Sequence, residues 1–245
     1  MAAAANAMPL RLPATYAAVA RVLAEVRLTR PDFAPDSLLD AGSGPGTASW
    51  AAAAAWPAFA AITMFDAHAG FLALAGRLAM AGAHPAMTQA RLVKVDILTL
   101  NGAHRASLVA ASYALAEISP NLLDAAVDRL LLAAAVPVAP CPHTADCPMT
   151  GADWCHFAVR LPRSRAHMHA KQAQVPFEDE PFAYLALTRS GAATGGARIL
   201  APPRLAKPGI TFKLCTEDGL EQRHIARRDG APYKQARKRQ WGGLL

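Results

Sequence analysis

The chain has 245 residues, 53% of them hydrophobic, and this length suffices for one large domain or for a main domain with a smaller appendage. Charge or proline breaks its apolar runs before the roughly 18 residues that a membrane span needs, so we expect a soluble protein without membrane contact. The net charge of +7 lies entirely after residue 140, because residues 1–140 hold nine Lys and Arg against nine Asp and Glu. This asymmetry indicates a polyanionic partner, nucleic acid first, with a merely solubilising surface as the alternative.

The amino-terminal segment MAAAANAMPLRLP has no basic stretch ahead of an apolar one. We therefore expect no secretory signal and a cytoplasmic location. Apolar residues then recur at three- and four-residue spacing from Tyr16 to Val26, which predicts an amphipathic helix with Pro13 near its start.

Strand-like and helix-like segments alternate from residue 37 onward. SLLDA precedes the glycine-rich GSGPG and an alanine-rich helix, AAITMFDA and ARLVKVDIL predict strands around the helical GFLALAGRLAMAG, and SLVAASYALAEI predicts a strand before a helix from about Pro120. This alternation predicts right-handed crossovers and a mostly parallel, Rossmann-like α/β sheet covered on both faces.

The pattern changes near Pro137, where prolines cluster and helical periodicity ends. The short strand-like runs FAYLALTR, ARILAPP and GITFKLC follow. We therefore predict two domains, residues 1–136 and a smaller β-rich unit at residues 137–245. The chain ends in YKQARKRQWGGLL, a basic tail anchored by Tyr233 and Trp241, whose cations are Lys234, Arg237, Lys238 and Arg239.

The segment DAGSGPG places three glycines between the first predicted strand and its helix, so that backbone amides can approach a ligand at the helix N-terminus. Asp66 ends the second predicted strand and suits the two hydroxyls of an adenosine ribose. The G-x-G-x-G spacing favours S-adenosylmethionine over a dinucleotide, and an ordinary glycine-rich turn is the alternative. Asp96, expected to close the third strand, would line the adenine side. The predicted cofactor-binding residues are Asp40, Gly42, Ser43, Gly44, Gly46, Asp66 and Asp96.

No motif marks a catalytic residue. SPNL at residues 119–122 is a poor match to the N-P-P-aromatic box of amino-methylating enzymes and is better explained as a helix start at Pro120. The catalytic residues therefore stay unknown.

All four cysteines lie in or beside the second domain, at positions 141, 147, 155 and 215. Four thiolates with none left over fit a four-coordinate site closed by a distant strand. Zinc usually takes closer pairs than C-x5-C-x7-C, an iron–sulfur cluster tolerates looser loops, and a reducing compartment disfavours disulfides. His143 and His156 are candidates either for hydrogen-bond donors to the thiolates or for zinc ligands.

Several segments of the chain are distinctive: LPATYAAV and LLDAGSGPGTASWA in the first half, then APCPH, the next cysteine, DWCHF, RLPR, EDEPFAYLAL and a terminal WG. Together they resemble the methyltransferase-like small-ribosomal-subunit assembly family of bacteria and mitochondria. The resemblance runs from about Leu12 to Gly242. It implies a class I methyltransferase fold, S-adenosylmethionine at Gly42–Gly46 with Asp66, and contact with the small ribosomal subunit and its rRNA, which we assign to the basic tail of a monomer. It also implies a 4Fe–4S cluster, with zinc as the alternative, on Cys141, Cys147, Cys155 and Cys215.

One departure bears on catalysis. The family usually has a strand ending in E-P-G-T-P before the helix that leads into A-P-C-P-H, whereas here AVDRLLLAAAVPVAPCPH joins the two, by deletion or with LLLAAA as a shortened substitute. That segment lies on the carboxyl edge of the sheet, where acceptors bind. Three functions stay open: an rRNA methyltransferase or methyltransferase-like factor, a non-catalytic assembly factor, and a small-molecule methyltransferase, which the charge asymmetry disfavours.

Overall fold

The computed structural model describes residues 2–82, 84–100, 105–131, 136–149, 154–189, 193 and 195–245. Contacts divide the chain into two compact units, Met1–Ala134 with Arg160–Glu180, and Ala135–Val159 with Pro181–Leu245. The predicted second domain includes Arg160–Glu180, whereas the contacts group this segment with the first unit. There the Tyr113 hydroxyl donates a hydrogen bond to Glu180 Oε1 at 3.0 Å. A domain division at residue 137 stays a prediction.

The described part of residues 1–134 contains four strands and five α-helices. The strands are β1 (Ser37–Ala41), β2 (Ala61–Asp66), β3 (Arg91–Lys94) and β4 (Leu108–Ala110). They form one parallel sheet in the order β3-β2-β1-β4. The helices are α1 (Ala2–Thr29), α2 (Thr47–Ala55), α3 (Ala69–Ala81), α4 (Pro85–Thr88) and α5 (Pro120–Leu131).

Helices cover both faces of this sheet. Leu38 and Met64 pack against α1, α2 and α3 on one face. Leu39 and Phe65 pack against Ala126 of α5 on the other. Adjacent residues such as Leu38 and Leu39 serve opposite faces because side chains alternate along a strand. The predicted α/β class is therefore confirmed.

Helix α1 is longer than predicted. It begins at Ala2, so Pro13, expected near the helix start, lies inside the helix. Five of the eleven residues from 2 to 12 are alanine, the strongest helix former, which favours helix even though Pro9 and Pro13 each lack a backbone donor. Among the described residues, no helix combines the length and the apolar character needed to cross a bilayer.

The carboxy-terminal part is β-rich, as predicted. Its described elements are β5 (Val136–Ala139), β6 (Phe157–Pro162), α6 (Arg165–Ala170), β7 (Phe177–Phe182), β8 (Ala186–Thr188), β9 (Arg198–Ile199), β10 (Arg204–Leu205), β11 (Gly209–Thr216), β12 (Gly219–Ala226) and α7 (Ala231–Ala236). Strand β11 pairs antiparallel with β9, β10 and β12, while β5 pairs with β8 and β6 with β7. Strands β5, β6, β7, β10 and β12 were not predicted from the sequence, although the predicted run FAYLALTR begins at the last residue of β7.

Candidate functional site

The glycine loop joins β1 to α2 through three left-handed backbone positions. Gly42, Gly44 and Gly46 have φ of 68°, 54° and 88°, a region that side chains other than glycine rarely adopt. A Cβ at Gly42 would overlap the Cβ of Ala114, so this position also lacks room for a side chain. Ser43 is buried, and its backbone N–H donates to the Phe65 carbonyl at 2.9 Å. This bond ties the loop to the end of β2.

Asp40 lies beneath this loop and caps helix α2. It has no exposed surface, and its Oδ2 accepts hydrogen bonds from the Ser49 backbone N–H at 3.0 Å and the Ser49 hydroxyl at 2.7 Å. Gly46, the N-cap residue, has no side chain to cap the helix, so Asp40 satisfies a first-turn N–H in its place. Within the described part of the chain, Oδ1 of Asp40 has no hydrogen-bond partner. Burial raises the pKa of Asp40 to about 6 against the opposing hydrogen bonds from Ser49.

Asp66 ends β2, as predicted, and its carboxylate is held against the glycine loop. Oδ2 accepts from the Gly44 N–H at 2.8 Å and Oδ1 accepts from the His68 N–H at 2.7 Å. Asp96 lies two residues beyond β3 rather than closing it. Its exposed carboxylate caps a short 3-10 turn by accepting the Leu98 N–H at 2.8 Å. The structure thus brings Asp40, Asp66 and the loop together and gives Asp96 a local capping contact.

Sequence reasoning missed Tyr113, which follows β4. Its φ of 61° is unusual for a side chain other than glycine, and its hydroxyl bonds Glu180 in the segment Arg160–Glu180. Burial and that carboxylate raise the pKa of Tyr113 above its usual range. No local sequence signal pairs a tyrosine with a glutamate 67 positions away.

The four cysteines are all free thiols of the second unit. Cys215 is buried, Cys141 and Cys155 are half-buried, and Cys147 is exposed. Burial, and then the neighbouring thiols, raise the pKa of Cys155 to about 11. Burial and neighbouring thiols likewise raise the pKa of Cys141 and Cys215. The four sulfur atoms therefore lie within electrostatic range of one another.

A buried guanidinium lies beside these thiols. Arg198 of β9 is opposite Cys215 of β11 in the strand register, and its positive charge lowers the pKa of Cys141, Cys155 and Cys215 against the stronger effect of burial. Its Nε donates to the Pro140 carbonyl at 2.6 Å and its NH1 group donates to the Gly242 carbonyl at 2.7 Å. Arg198 thus joins Pro140, at the start of the segment that carries Cys141, Cys147 and Cys155 (the cysteine loop), to Gly242 near the end of the chain. Nothing in ARIL predicts this role.

The two candidate histidines differ in place. His143 is buried, with Nε2 at 3.2 Å from Cys215 Sγ, which fits a hydrogen-bond partner of the thiol. The His156 ring stacks on Trp154 and donates through Nδ1 to the Trp154 carbonyl at 3.2 Å. Within the described ranges, no three His, Cys, Asp or Glu side chains are arranged so that they could hold a metal ion. Three of the cysteines, Cys141, Cys155 and Cys215, lie within electrostatic range of the buried Arg198.

The basic tail, residues 233–245, begins within α7. Tyr233 is buried in the core of the second unit with Phe212 and Leu214, so it anchors the tail as predicted. The four cations Lys234, Arg237, Lys238 and Arg239 are exposed.

A parallel sheet in the order β3-β2-β1-β4, a glycine loop between β1 and α2, and a carboxylate at the end of β2 define a class I methyltransferase-like α/β protein. The family can also be stated. The chain belongs to the family described as mitochondrial small ribosomal subunit Rsm22, whose family model matches residues 2–136 and 121–245. This membership confirms the resemblance seen in the sequence.

Individual relatives match less of the chain. The human protein named ribosome assembly protein METTL17, mitochondrial, is 47% identical over 45 residues, which are 18% of this chain and 10% of that protein. The match thus spans about a tenth of that relative's length. Two solved structures are similar. The N-methyltransferase NodS from Bradyrhizobium japonicum with S-adenosyl-L-homocysteine is 15% identical, over 61% of this chain and 64% of that chain, with a TM-score of 0.36. The amino-terminal domain of EvdMO1 with the same ligand is 16% identical, over 77% of this chain and 76% of that chain, with a TM-score of 0.40. Likenesses at this level carry no argument about function.

Proposed function

We propose that the chain is a methyltransferase-like assembly factor of the small ribosomal subunit, working in a reducing compartment such as the bacterial cytoplasm. Its first unit binds S-adenosylmethionine, and its second unit holds a 4Fe–4S cluster and contacts rRNA. The observation that carries the proposal is the pair of carboxylates, Asp40 and Asp66, on either side of a glycine loop in a chain of the Rsm22 family.

The residues around the loop suit the cofactor's polar groups. Asp66 presents a carboxylate at the strand end, where ribose hydroxyls are bound in nucleotide-binding α/β folds. Within the described residues, Asp40 Oδ1 accepts no hydrogen bond. This atom suits the positively charged amino group of the cofactor, because a buried acceptor without a donor costs stability. When bound, the cofactor supplies an electrophilic methyl group. The chain's own contribution is to hold and orient it.

The cluster proposal depends on donor chemistry. Cys141, Cys147, Cys155 and Cys215 are free, and Arg198 offsets the negative charge that four thiolates would bring into a half-buried site. Anaerobic purification with an absorption spectrum and counts of iron, sulfide and zinc tests this. About four irons with sulfide per chain would support the cluster, while one zinc without sulfide would replace it.

Calorimetry of the full chain with S-adenosylmethionine tests the first unit. Asp66→Asn removes the charge but keeps the size, and we expect a loss of affinity of about tenfold or more, the usual value of a hydrogen bond to a charged group. Asp36→Asn is the matched control, because Asp36 is an exposed carboxylate before β1, at the opposite end of the strand, bonded to Ser37 and Ser107. Absence of binding to the unaltered protein would remove the cofactor from the proposal.

Turnover is a separate question. A non-catalytic assembly factor is the second candidate, favoured by the lack of the E-P-G-T-P segment in this sequence. Of its possible substitute LLLAAA, residues 132–135 lie outside the described residues. Tritium transfer from labelled S-adenosylmethionine to isolated small subunits distinguishes the two. Incorporation lost in Asp66→Asn supports a methyltransferase, cofactor binding without incorporation supports the second candidate, and transfer to small molecules alone would support the third.

A further inference from the structure

Trp154 is a half-exposed ring in an aromatic stack of the second unit. Its side chain is 53% exposed, although indole is among the largest apolar groups. The His156 ring lies nearly parallel to it, with centroids 4.2 Å apart and planes 18° apart. His156 in turn meets Trp241 edge-on at 5.2 Å. The exposed ring is therefore held from behind by two further rings.

This stack is anchored in the unit's interior. Trp241 contacts Phe157, which is buried and also contacts Phe182 and Tyr184. The hydrogen bond from the His156 ring to the Trp154 carbonyl fixes the turn between the stacked rings. Trp154 thus presents a flat, ordered π-surface to solvent rather than a loose side chain.

The unit that contains the stack is basic. The second unit carries twelve Lys and Arg against six Asp and Glu. Two of the exposed cations, Lys238 and Arg239, precede Trp241 by three and two residues, so the Arg239 backbone lies within about 7 Å of that of Trp241. An exposed π-surface in a unit with an excess of cations matches an unpaired nucleotide, whose base stacks while its phosphate is neutralised.

We propose that Trp154, stacked on His156, is a platform for an unpaired base of RNA. The inference deepens the proposed function and rests on it, since it names the RNA chemistry that the second unit would recognise. The twofold excess of cations over acids in the unit favours RNA over a protein partner, because every nucleotide brings a phosphate that a cation can neutralise.

The platform also gives the cysteine loop a role in recognition. Cys155 lies between the two stacked residues, so any bond that fixes its sulfur atom also fixes the backbone that carries both rings. Arg198 supports the other end of the stack, since its guanidinium bonds the carbonyl of Gly242, which follows Trp241. Metal-bound cysteines would thus hold the base platform rigid.

Fluorescence anisotropy with a labelled oligoadenylate RNA, measured on the full chain over a range of KCl, tests the proposal. We expect Trp154→Ala to weaken binding by about 5- to 150-fold, the usual effect of removing one stacked base contact. Trp154→Phe keeps a ring and should lose less. The salt dependence should not change in either variant, since neither removes a cation. Leu205→Ala, at another exposed apolar residue of the same unit, is the matched control and should bind normally.

Failure of this inference is distinguishable from failure of the proposed function. If the unaltered chain binds no RNA, the rRNA contact itself is wrong. If it binds RNA and Trp154→Ala binds equally well, only the platform is wrong. An equal loss for single-stranded and double-stranded RNA would also overturn the platform, because paired bases cannot stack on a side chain. The platform would also be overturned if Trp154→Ala weakened binding to isolated small-subunit proteins but left binding to RNA unchanged.

Discussion

Asp40 provides a direct test of the buried charge beneath the glycine loop. Burial raises its pKa from the ordinary 3.8 to about 6, while hydrogen bonds from Ser49 act in the opposite direction and the charge of Asp66 adds to the rise. The folded chain therefore keeps the Asp40 proton to a higher pH than the unfolded chain does. Between about pH 4 and pH 6 the folded state binds more protons, so the free energy of unfolding falls as the pH rises through this window.

The size of the effect follows from the pKa shift. A shift of about two units at about 1.4 kcal/mol each amounts to about 3 kcal/mol. Asp40→Asn keeps the volume and an oxygen acceptor for Ser49 but cannot ionise. We expect the variant to match the unaltered chain near pH 4 and to exceed its free energy of unfolding by up to about 3 kcal/mol at pH 7.

Urea unfolding followed by circular dichroism at pH 4, 5, 6 and 7 measures this difference. Asp36→Asn is the control of opposite sign, since hydrogen bonds from Ser107 and Ser37 lower the pKa of this exposed carboxyl. Its stabilising contribution is present above the ordinary pKa and is lost as the pH falls. Parallel curves for Asp40→Asn and the unaltered chain from pH 4 to pH 7 would refute the buried-carboxylate reasoning.

Three further predictions concern the loop, the tail and the buried arginine. Gly42→Ala should cost about 1–3 kcal/mol more than Gly44→Ala in urea unfolding, because both have positive φ but only Gly42 faces Ala114; equal costs would contradict this. Arg198→Met should lower stability by about 3 kcal/mol or more, because two carbonyls lose a charged donor, and a loss below about 1 kcal/mol would contradict it. The four tail cations are Lys234, Arg237, Lys238 and Arg239. Replacing all four by alanine should reduce the slope of log K for RNA binding against log salt concentration by up to about 3. An unchanged slope would exclude the tail from phosphate contact.

The parallel sheet was predictable because its signals are local. Strands β1, β2 and β4 are short apolar runs, and the candidate cofactor-binding residues Asp40 and Asp66 stand at positions that the strand pattern itself defines. Strands β6 and β12 were missed because charged residues interrupt their apolar positions, as in FAVRLP and GLEQRHIA. Where a hydrogen bond joins distant positions, as from Tyr113 to Glu180, only the folded chain reveals the pair.

The cysteines illustrate both cases within one unit. Counting four thiols with none left over predicted that they gather, and they lie within electrostatic range of one another. Arg198 could not be predicted, because its partners, the carbonyls of Pro140 and Gly242, are 58 and 44 residues away. The charge of Arg198 favours the thiolate form of Cys141, Cys155 and Cys215, against the burial and neighbouring thiols that raise their pKa. The same guanidinium bonds the carbonyl of Pro140, just before Cys141, and that of Gly242, just after Trp241. We therefore expect Arg198→Met to disturb both the segment that begins at Cys141 and the aromatic stack around Trp241.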